Sequence, residues 1–277
     1  MTDPVRPSGT GPSRTVLRSS RSRLSIQALI MNVTVYPLLI LQTLLFVLLA
    51  PLVLPLAKFV AGREVDRTVR YFIWVYGRIW MMIMYPFVRF EIQKMNSARF
   101  SQPCIIVLNH LSFFDIFCMG ALPFSNIAFT VRSWPFRMFW YAPFMRLAGY
   151  VDMESLGVDR AMRRCSELLS QGVSLVFFPE GHRSRDGELG RFYSGAFKLA
   201  VQTDTPLVPV CISGTEQLLP PGRFFMAPAT VRLQALSRID PSGFSGESDH
   251  VDLRKHVKER MTQTLAEMRR CSPERNT

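Results

Sequence analysis

His110 and Asp115 stand five residues apart in the stretch NHLSFFD at residues 109–115, directly behind the uncharged run CIIVL. Histidine ionises near neutrality, so it can take up and return a proton. A carboxylate against one ring nitrogen fixes the imidazole tautomer and steadies the imidazolium that forms during proton transfer. If Ser112 caps a helix, Asp115 falls in its first turn and points back toward His110. The same residues also suit a plain helix start, since Ser-x-x-Asp resembles a capping box and an acid favours a helix N-terminus.

A second stretch, FFPEGHRSRDGELG at residues 177–190, also follows an apolar run. Pro179 and Gly181 make a rigid turn whose backbone N–H groups suit an oxyanion. Arg183 and Arg185 offer forked donors of the kind that hold a phosphate. For Arg185, Asp186, Glu188 and Arg191 a solvated charged loop is the preferred reading. A third stretch is FYSGAFKLA at residues 192–200. There Gly195 is expected to permit close helix approach, and Lys198 either meets a phosphate or is solvated. No Cys-x-x-Cys pair occurs and the four histidines are dispersed, so neither a metal nor a resident cofactor is expected.

The elements that must position these residues follow from hydropathy. Apolar runs at residues 104–108, 127–131, 173–178, 207–212 and 230–236 are predicted strands. Runs without alternation are covered on both faces, which means a parallel sheet. Helical segments fall between them at 112–121, 135–147, 158–170 and 194–202, and an amphipathic helix closes the chain over 251–270. The expected class is α/β, a largely parallel sheet flanked by helices, with both motif loops at strand carboxyl ends, where open sheets bind ligands.

Ahead of this lie two other textures. Residues 1–24 are rich in Ser, Gly, Pro and Arg and read as a basic disordered tail. Residues 25–57 carry no charge and contain Pro37, Pro51 and Pro55; a second apolar stretch spans 71–90, interrupted by Arg78 and Arg89. Residues 25–95 therefore read as a membrane-associated helical hairpin turning near Pro51 and Pro55, and residues 96–277 as the catalytic domain. The net charge of +12 attracts polyanions. Because the positive charge flanks apolar runs and no nucleic-acid module is present, the expected partner is an anionic membrane surface and not nucleic acid. Five scattered cysteines suit free thiols in a reducing compartment. The arginines ahead of the first apolar run place the N-terminus in the cytoplasm. A hairpin would bring the catalytic domain back to the same face of the cytoplasmic membrane.

Taken together, NHLSFFD, then FPEGHRS, then the Ser-Gly-Ala-Phe-Lys helix and a Val-Pro-Val strand resemble the glycerolipid acyltransferase family with the His-x-x-x-x-Asp motif, typified by the 1-acylglycerol-3-phosphate acyltransferases. The resemblance covers about residues 105–236. It implies that His110 and Asp115 form a catalytic dyad, supported by Asn109 and Ser112, and that Glu180, Gly181 and Arg183 help bind the acceptor. It also places Arg132 where the family carries a basic residue after the second strand. Two departures concern the acceptor headgroup. His182 stands where the family motif has Thr, and Met153 stands where a second motif ends in Arg, leaving Arg132, Arg146 or Arg160 to take that contact. The implied reaction moves a fatty acyl group from a thioester donor, coenzyme A or acyl carrier protein, to the free hydroxyl of a lysophospholipid such as lysophosphatidic acid, in phospholipid biosynthesis. Three other readings stay open: the same chemistry on a lyso-aminolipid, a membrane-bound acyl hydrolase, and a non-catalytic membrane adaptor. The absence of a Gly-x-Ser-x-Gly elbow speaks against the hydrolase, and intact His110 and Asp115 speak against the adaptor.

Overall fold

Strands covered on both faces are apolar at nearly every position, and four of the predicted runs fit that pattern, with Thr130 and Ser174 buried among them. In the computed structural model, which describes residues 26–244 and 248–270, they form β2 (Ile105–Leu108), β3 (Ile127–Val131), β5 (Ser174–Phe177) and β6 (Leu207–Ser213). The fifth, β7 (Ala229–Ala235), alternates buried and half-buried residues, as expected nearer a sheet edge. Two further strands, β1 (Val88–Gln93) and β4 (Val151–Asp152), are not among the predicted runs. β1, VRFEIQ, alternates apolar and polar residues after the turn at Pro86, and β4 is two residues long. The sheet order is β1-β7-β6-β2-β5-β3-β4. Every pairing is parallel except β6 with β7. The sheet therefore begins at residue 88, inside the segment 25–95 assigned to the membrane.

Helices pack around this sheet: α3 (Asp115–Cys118), α4 (Ala142–Leu147), α5 (Val158–Ser170), α6 (Gly195–Thr203), α7 (Thr215–Leu218) and α8 (Asp249–Arg270). The segment 135–147 is not one helix. Pro135 and Pro143 each open a new helical turn, so it splits into a 3-10 turn and α4. The expected tail at residues 1–24 and the thiol of Cys271 lie outside the described residues.

The hairpin differs from expectation in where it turns. α1 (Ile26–Ala61) runs unbroken through Pro37, Pro51 and Pro55, and the chain reverses at residues 62–64 before α2 (Val65–Met84). Contacts between Gln42 and Tyr76, Thr43 and Tyr76, and Phe46 and Phe72 show the two helices antiparallel. The prolines are tolerated because all three sit on the exposed side of α1. The opposite stripe, Ala28, Met31, Asn32, Val35, Gln42 and Ala50, is buried at helical spacing. The rest of α1 is exposed and apolar, with a mean hydropathy of 2.5, and it is the one described helix long and apolar enough to cross a membrane. α2 instead belongs to the domain: it buries Val69, Trp80 and Met84. Its Arg70 is bonded to Asp66, Asn126 and the Ala148 carbonyl.

Gly214 joins β6 to α7 with φ +92°, and a Cβ there would lie 2.0 Å from the Thr230 carbonyl oxygen. Left-handed strain alone is worth about 1–3 kcal/mol, and the backbone clash adds to it. Gly214→Ala should therefore lower the unfolding free energy by at least about 2 kcal/mol, read as a drop in the denaturant midpoint.

Candidate active site

His110 leaves the carboxyl end of β2, the strand in the middle of the sheet. Just before it, Asn109 is fully buried and bonds the neighbouring strand twice: its amide N–H donates to the Ile212 carbonyl (2.9 Å) and its oxygen accepts from the Ile212 N–H (2.8 Å). That clasp fixes where β2 ends, and so where His110 begins.

Asp115 is also fully buried. A carboxylate out of water must have its lone pairs satisfied, and here four donors do so. The Leu111 N–H (2.6 Å), the Ser112 N–H (2.9 Å) and His110 Nδ1 (2.8 Å) converge on Oδ2. The Thr215 hydroxyl donates to Oδ1 at 2.6 Å. With an acceptor-only carboxylate beside it, Nδ1 carries the ring proton and Nε2 is left with the lone pair. His110 lines a large cavity and stacks on Phe178, ring centroids 4.2 Å apart. A carboxylate so occupied is more than a helix cap: it orients the imidazole. Ser112 does not act as a helix cap; its hydroxyl donates to the Leu219 carbonyl at 2.9 Å and pins the loop after α7.

The loop after β5 is fastened to His110 through its backbone. Glu180 Oε1 accepts the His110 N–H (3.0 Å), Oε2 accepts the Gly190 N–H (2.8 Å), and the Ser184 N–H donates to the His110 carbonyl (2.8 Å). Glu180 is 1% exposed. Burial pushes its carboxyl above the usual range, against the pull of the Gly190 and His110 N–H groups. It holds the loop and does not reach out to an acceptor, contrary to the sequence expectation. Gly181, at φ +71°, makes the turn, but its N–H is taken by the Phe178 carbonyl (3.0 Å). Pro179 has no N–H. The oxyanion donors expected of Pro179 and Gly181 are therefore not there. The N–H groups of His182 and Arg183 have no partner among the described residues.

Arg183 is exposed, lines the cavity and has no side-chain partner among the described residues. Arg132 also lines the cavity, but its guanidinium is paired with Glu154 at 2.6 Å. Arg146 and Arg160 are outside the lining, bonded to the Phe136 and Leu156 carbonyls. Gly195 lines the cavity, but a Cβ there would meet open space, so close helix approach is not its reason. Lys198 is exposed on α6 away from the cavity, a solvated residue. No group of three or more potential metal ligands occurs among the described residues. The cavity measures about 2120 Å³ and is walled largely by apolar side chains of α1, α2 and the 127–145 region. Thr215 is the residue the sequence reading missed. It follows Gly214 at the end of β6, and the rule that chemistry gathers at strand carboxyl ends would have marked it.

His110 and Asp115 thus lie together at a strand end and open on a largely apolar cavity. Residues 89–213 match the family model described as Acyltransferase. The chloroplastic 1-acyl-sn-glycerol-3-phosphate acyltransferase BAT2 of Brassica napus is 35% identical over 167 residues, 57% of this chain and 47% of that protein. The human 1-acyl-sn-glycerol-3-phosphate acyltransferase beta is 30% identical over 166 residues, 57% of this chain and 58% of the relative. The chain spans about half the length of the curated relatives it matches. The crystal structure of the 1-acyl-sn-glycerophosphate (LPA) acyltransferase PlsC from Thermotoga maritima superposes with a TM-score of 0.66 at 27% identity, covering 85% of this chain and 98% of that one.

Removing the Thr215 hydroxyl tests the buried carboxylate. Thr215→Val keeps the shape but leaves Oδ1 without its donor, a loss of about 1–3 kcal/mol in unfolding free energy. Thr215→Ser should recover most of it.

Proposed function

We propose that this chain transfers a fatty acyl group from a thioester donor to the free hydroxyl of a lysophospholipid, with lysophosphatidic acid as the acceptor. The observation that carries this reading is His110, locked by Asp115 with Nε2 as its unprotonated nitrogen, in the wall of an apolar cavity of about 2120 Å³. Ordinary small-molecule sites occupy roughly 300–1,000 Å³, so this one has room for two long-chain substrates side by side.

The chemistry follows. The acceptor hydroxyl gives its proton to Nε2 as its oxygen attacks the thioester carbonyl. The tetrahedral oxyanion is held by the open N–H groups of the 182–183 turn. It collapses with loss of the thiolate, which takes the proton from the imidazolium and leaves as the thiol. No acyl-enzyme is needed. Cys104, Cys118, Cys165 and Cys211 are all fully buried and free. Burial pushes Cys104 to about 11 and Cys165 to about 12, so none of them is a thiolate nucleophile at neutral pH. Arg183 faces the same cavity with its fork uncommitted and takes the acceptor phosphate. Coenzyme A and acyl carrier protein both satisfy the donor chemistry.

The apolar helix and the likeness to lipid acyltransferases indicate membrane association. The geometry of α1 supports a one-leaflet arrangement, and the arginines ahead of it in the sequence support the cytoplasmic face. At about 1.5 Å per residue the buried stripe from Ala28 to Ala50 runs alongside the catalytic domain for most of a bilayer's thickness. A helix docked lengthwise on a polar domain lies in the membrane surface instead of standing across it.

Purified protein should acylate lysophosphatidic acid from a thioester, and His110→Ala should lower turnover by about a hundred- to ten-thousand-fold while staying folded by circular dichroism, its stability reduced by the about 1–3 kcal/mol that loss of one donor to Asp115 costs. Near-normal turnover in that variant would exclude the mechanism. Arg183→Ala should raise KM for the anionic acceptor by about ten- to a hundredfold, from a charge-assisted bond worth about 1.5–3 kcal/mol. It should leave the donor KM unmoved. A wild-type preference for a neutral lysolipid would refute the phosphate contact.

A further inference from the structure

Large apolar residues are prominent among the well-exposed residues that line the cavity. Ile40 and Leu44 come from α1, Trp134, Phe139 and Trp140 from the segment before α4, and Phe224 from the loop before β7; the 181–188 loop supplies an exposed polar part of the lining. Phe139 is 82% exposed and Phe224 87%. Large apolar side chains at that exposure, gathered at one opening, are not what a water-filled entrance shows.

The two loops also have a consistent charge. Residues 133–151 and 217–239 contain no Asp or Glu; the first carries Arg137 and Arg146 and the second Arg223, Arg232 and Arg238, the last two paired with Glu91 and Asp240. Arg137 and Arg223 are exposed and have no acidic partner among the described residues. Aromatic rings interleaved with unpaired arginines are the composition of a membrane–water interface, rings at headgroup depth and cations on anionic phosphates.

The loop before β7 is joined to the apolar helix. Asn32 on α1 accepts from the Met226 N–H (2.9 Å) and donates to the Met226 carbonyl (2.8 Å), and the Tyr36 hydroxyl donates to the Phe224 carbonyl. These bonds fix Phe224 and Phe225 in place beside the inner stripe of α1.

We propose that segments 134–140 and 223–225 form a second membrane contact, separate from α1, seated in the interface of an anionic leaflet around the cavity mouth. The mouth then opens into lipid, and long-chain substrates enter sideways from the leaflet without crossing water. This rests on the chain meeting a bilayer and not on the identity of the reaction.

The test uses the full chain with Cys271→Ser, a fluorescent thiol label at Phe139→Cys, Phe224→Cys or, as reference, Lys255→Cys, reconstituted in phosphatidylcholine–phosphatidylglycerol vesicles. Labels at 139 and 224 should be quenched by a nitroxide lipid and shielded from aqueous iodide, and the label at 255 the reverse. Iodide access at 139 and 224 equal to that at 255 would overturn the proposal. So would shielding without lipid quenching, which would mean that another protein or a second copy covers the loops. No turnover enters this measurement, so its outcome is independent of the reaction proposed above. As a second reading, Phe139→Ser with Phe224→Ser should lower the ratio of turnover on bilayer-embedded lysolipid to turnover on dispersed short-chain lysolipid, by about tenfold for each ring withdrawn from lipid. An unchanged ratio would count against sideways entry.

Discussion

A carboxylate with no access to water organises the centre of this molecule. Asp115 accepts hydrogen bonds from two backbone N–H groups, a ring nitrogen and a hydroxyl that comes from 100 residues further along the chain. Burying such a charge unpaired would cost several kcal/mol, so each donor is obligatory, and together they tie the end of β2, the start of α3 and the start of α7. The imidazole is oriented by the same group that holds these elements. Stability and acid–base geometry are therefore not separable here: loosening any of the three elements also loosens the histidine.

The second motif loop is held by the same logic, through main-chain atoms. Glu180 and Ser184 grip both the N–H and the carbonyl of His110. This frees the side chains that point outward, Arg183 above all, to face the cavity. An acidic residue in a motif is readily taken as a ligand contact. Its 1% exposure and two backbone donors make Glu180 part of the scaffold instead.

α1 shows how an apolar helix serves two environments. One stripe is used by the protein, with Asn32, Gln42 and Thr43 making specific hydrogen bonds to the loop before β7 and to α2. The remaining surface stays exposed and carries the three prolines. Because the inner stripe is anchored at both ends, the helix continues through prolines that would end an isolated one. The cavity wall is built from this helix, α2 and the sheet edge together, so the apolar segment belongs to the site and is more than an anchor.

Much of this was legible in the residues alone. Four of the strands are apolar almost throughout, without alternation, a pattern that goes with burial on both faces. The spacing of His110 and Asp115 behind one of them suited a capped helix start as well as an acid–base pair, and it was the combination of motifs that pointed to the pair. What sequence distance hides is contact between remote segments. Thr215 meets Asp115 across 100 residues; its place at the end of β6 marks the neighbourhood, but only the packed fold brings its hydroxyl to that carboxylate. β1 was absorbed into the apolar stretch before it, although the alternation of VRFEIQ after Pro86 is a strand pattern; its parallel pairing with β7 places it in the sheet. The roles of Glu180, Gly195 and Lys198 were decided by direction: a side chain's type is written in the sequence, but whether it faces a cavity, a backbone donor or water is set by packing. The sequence by itself determined the chemistry available and the order of the elements. The tertiary structure decided which groups are buried, and burial decides what each must bond.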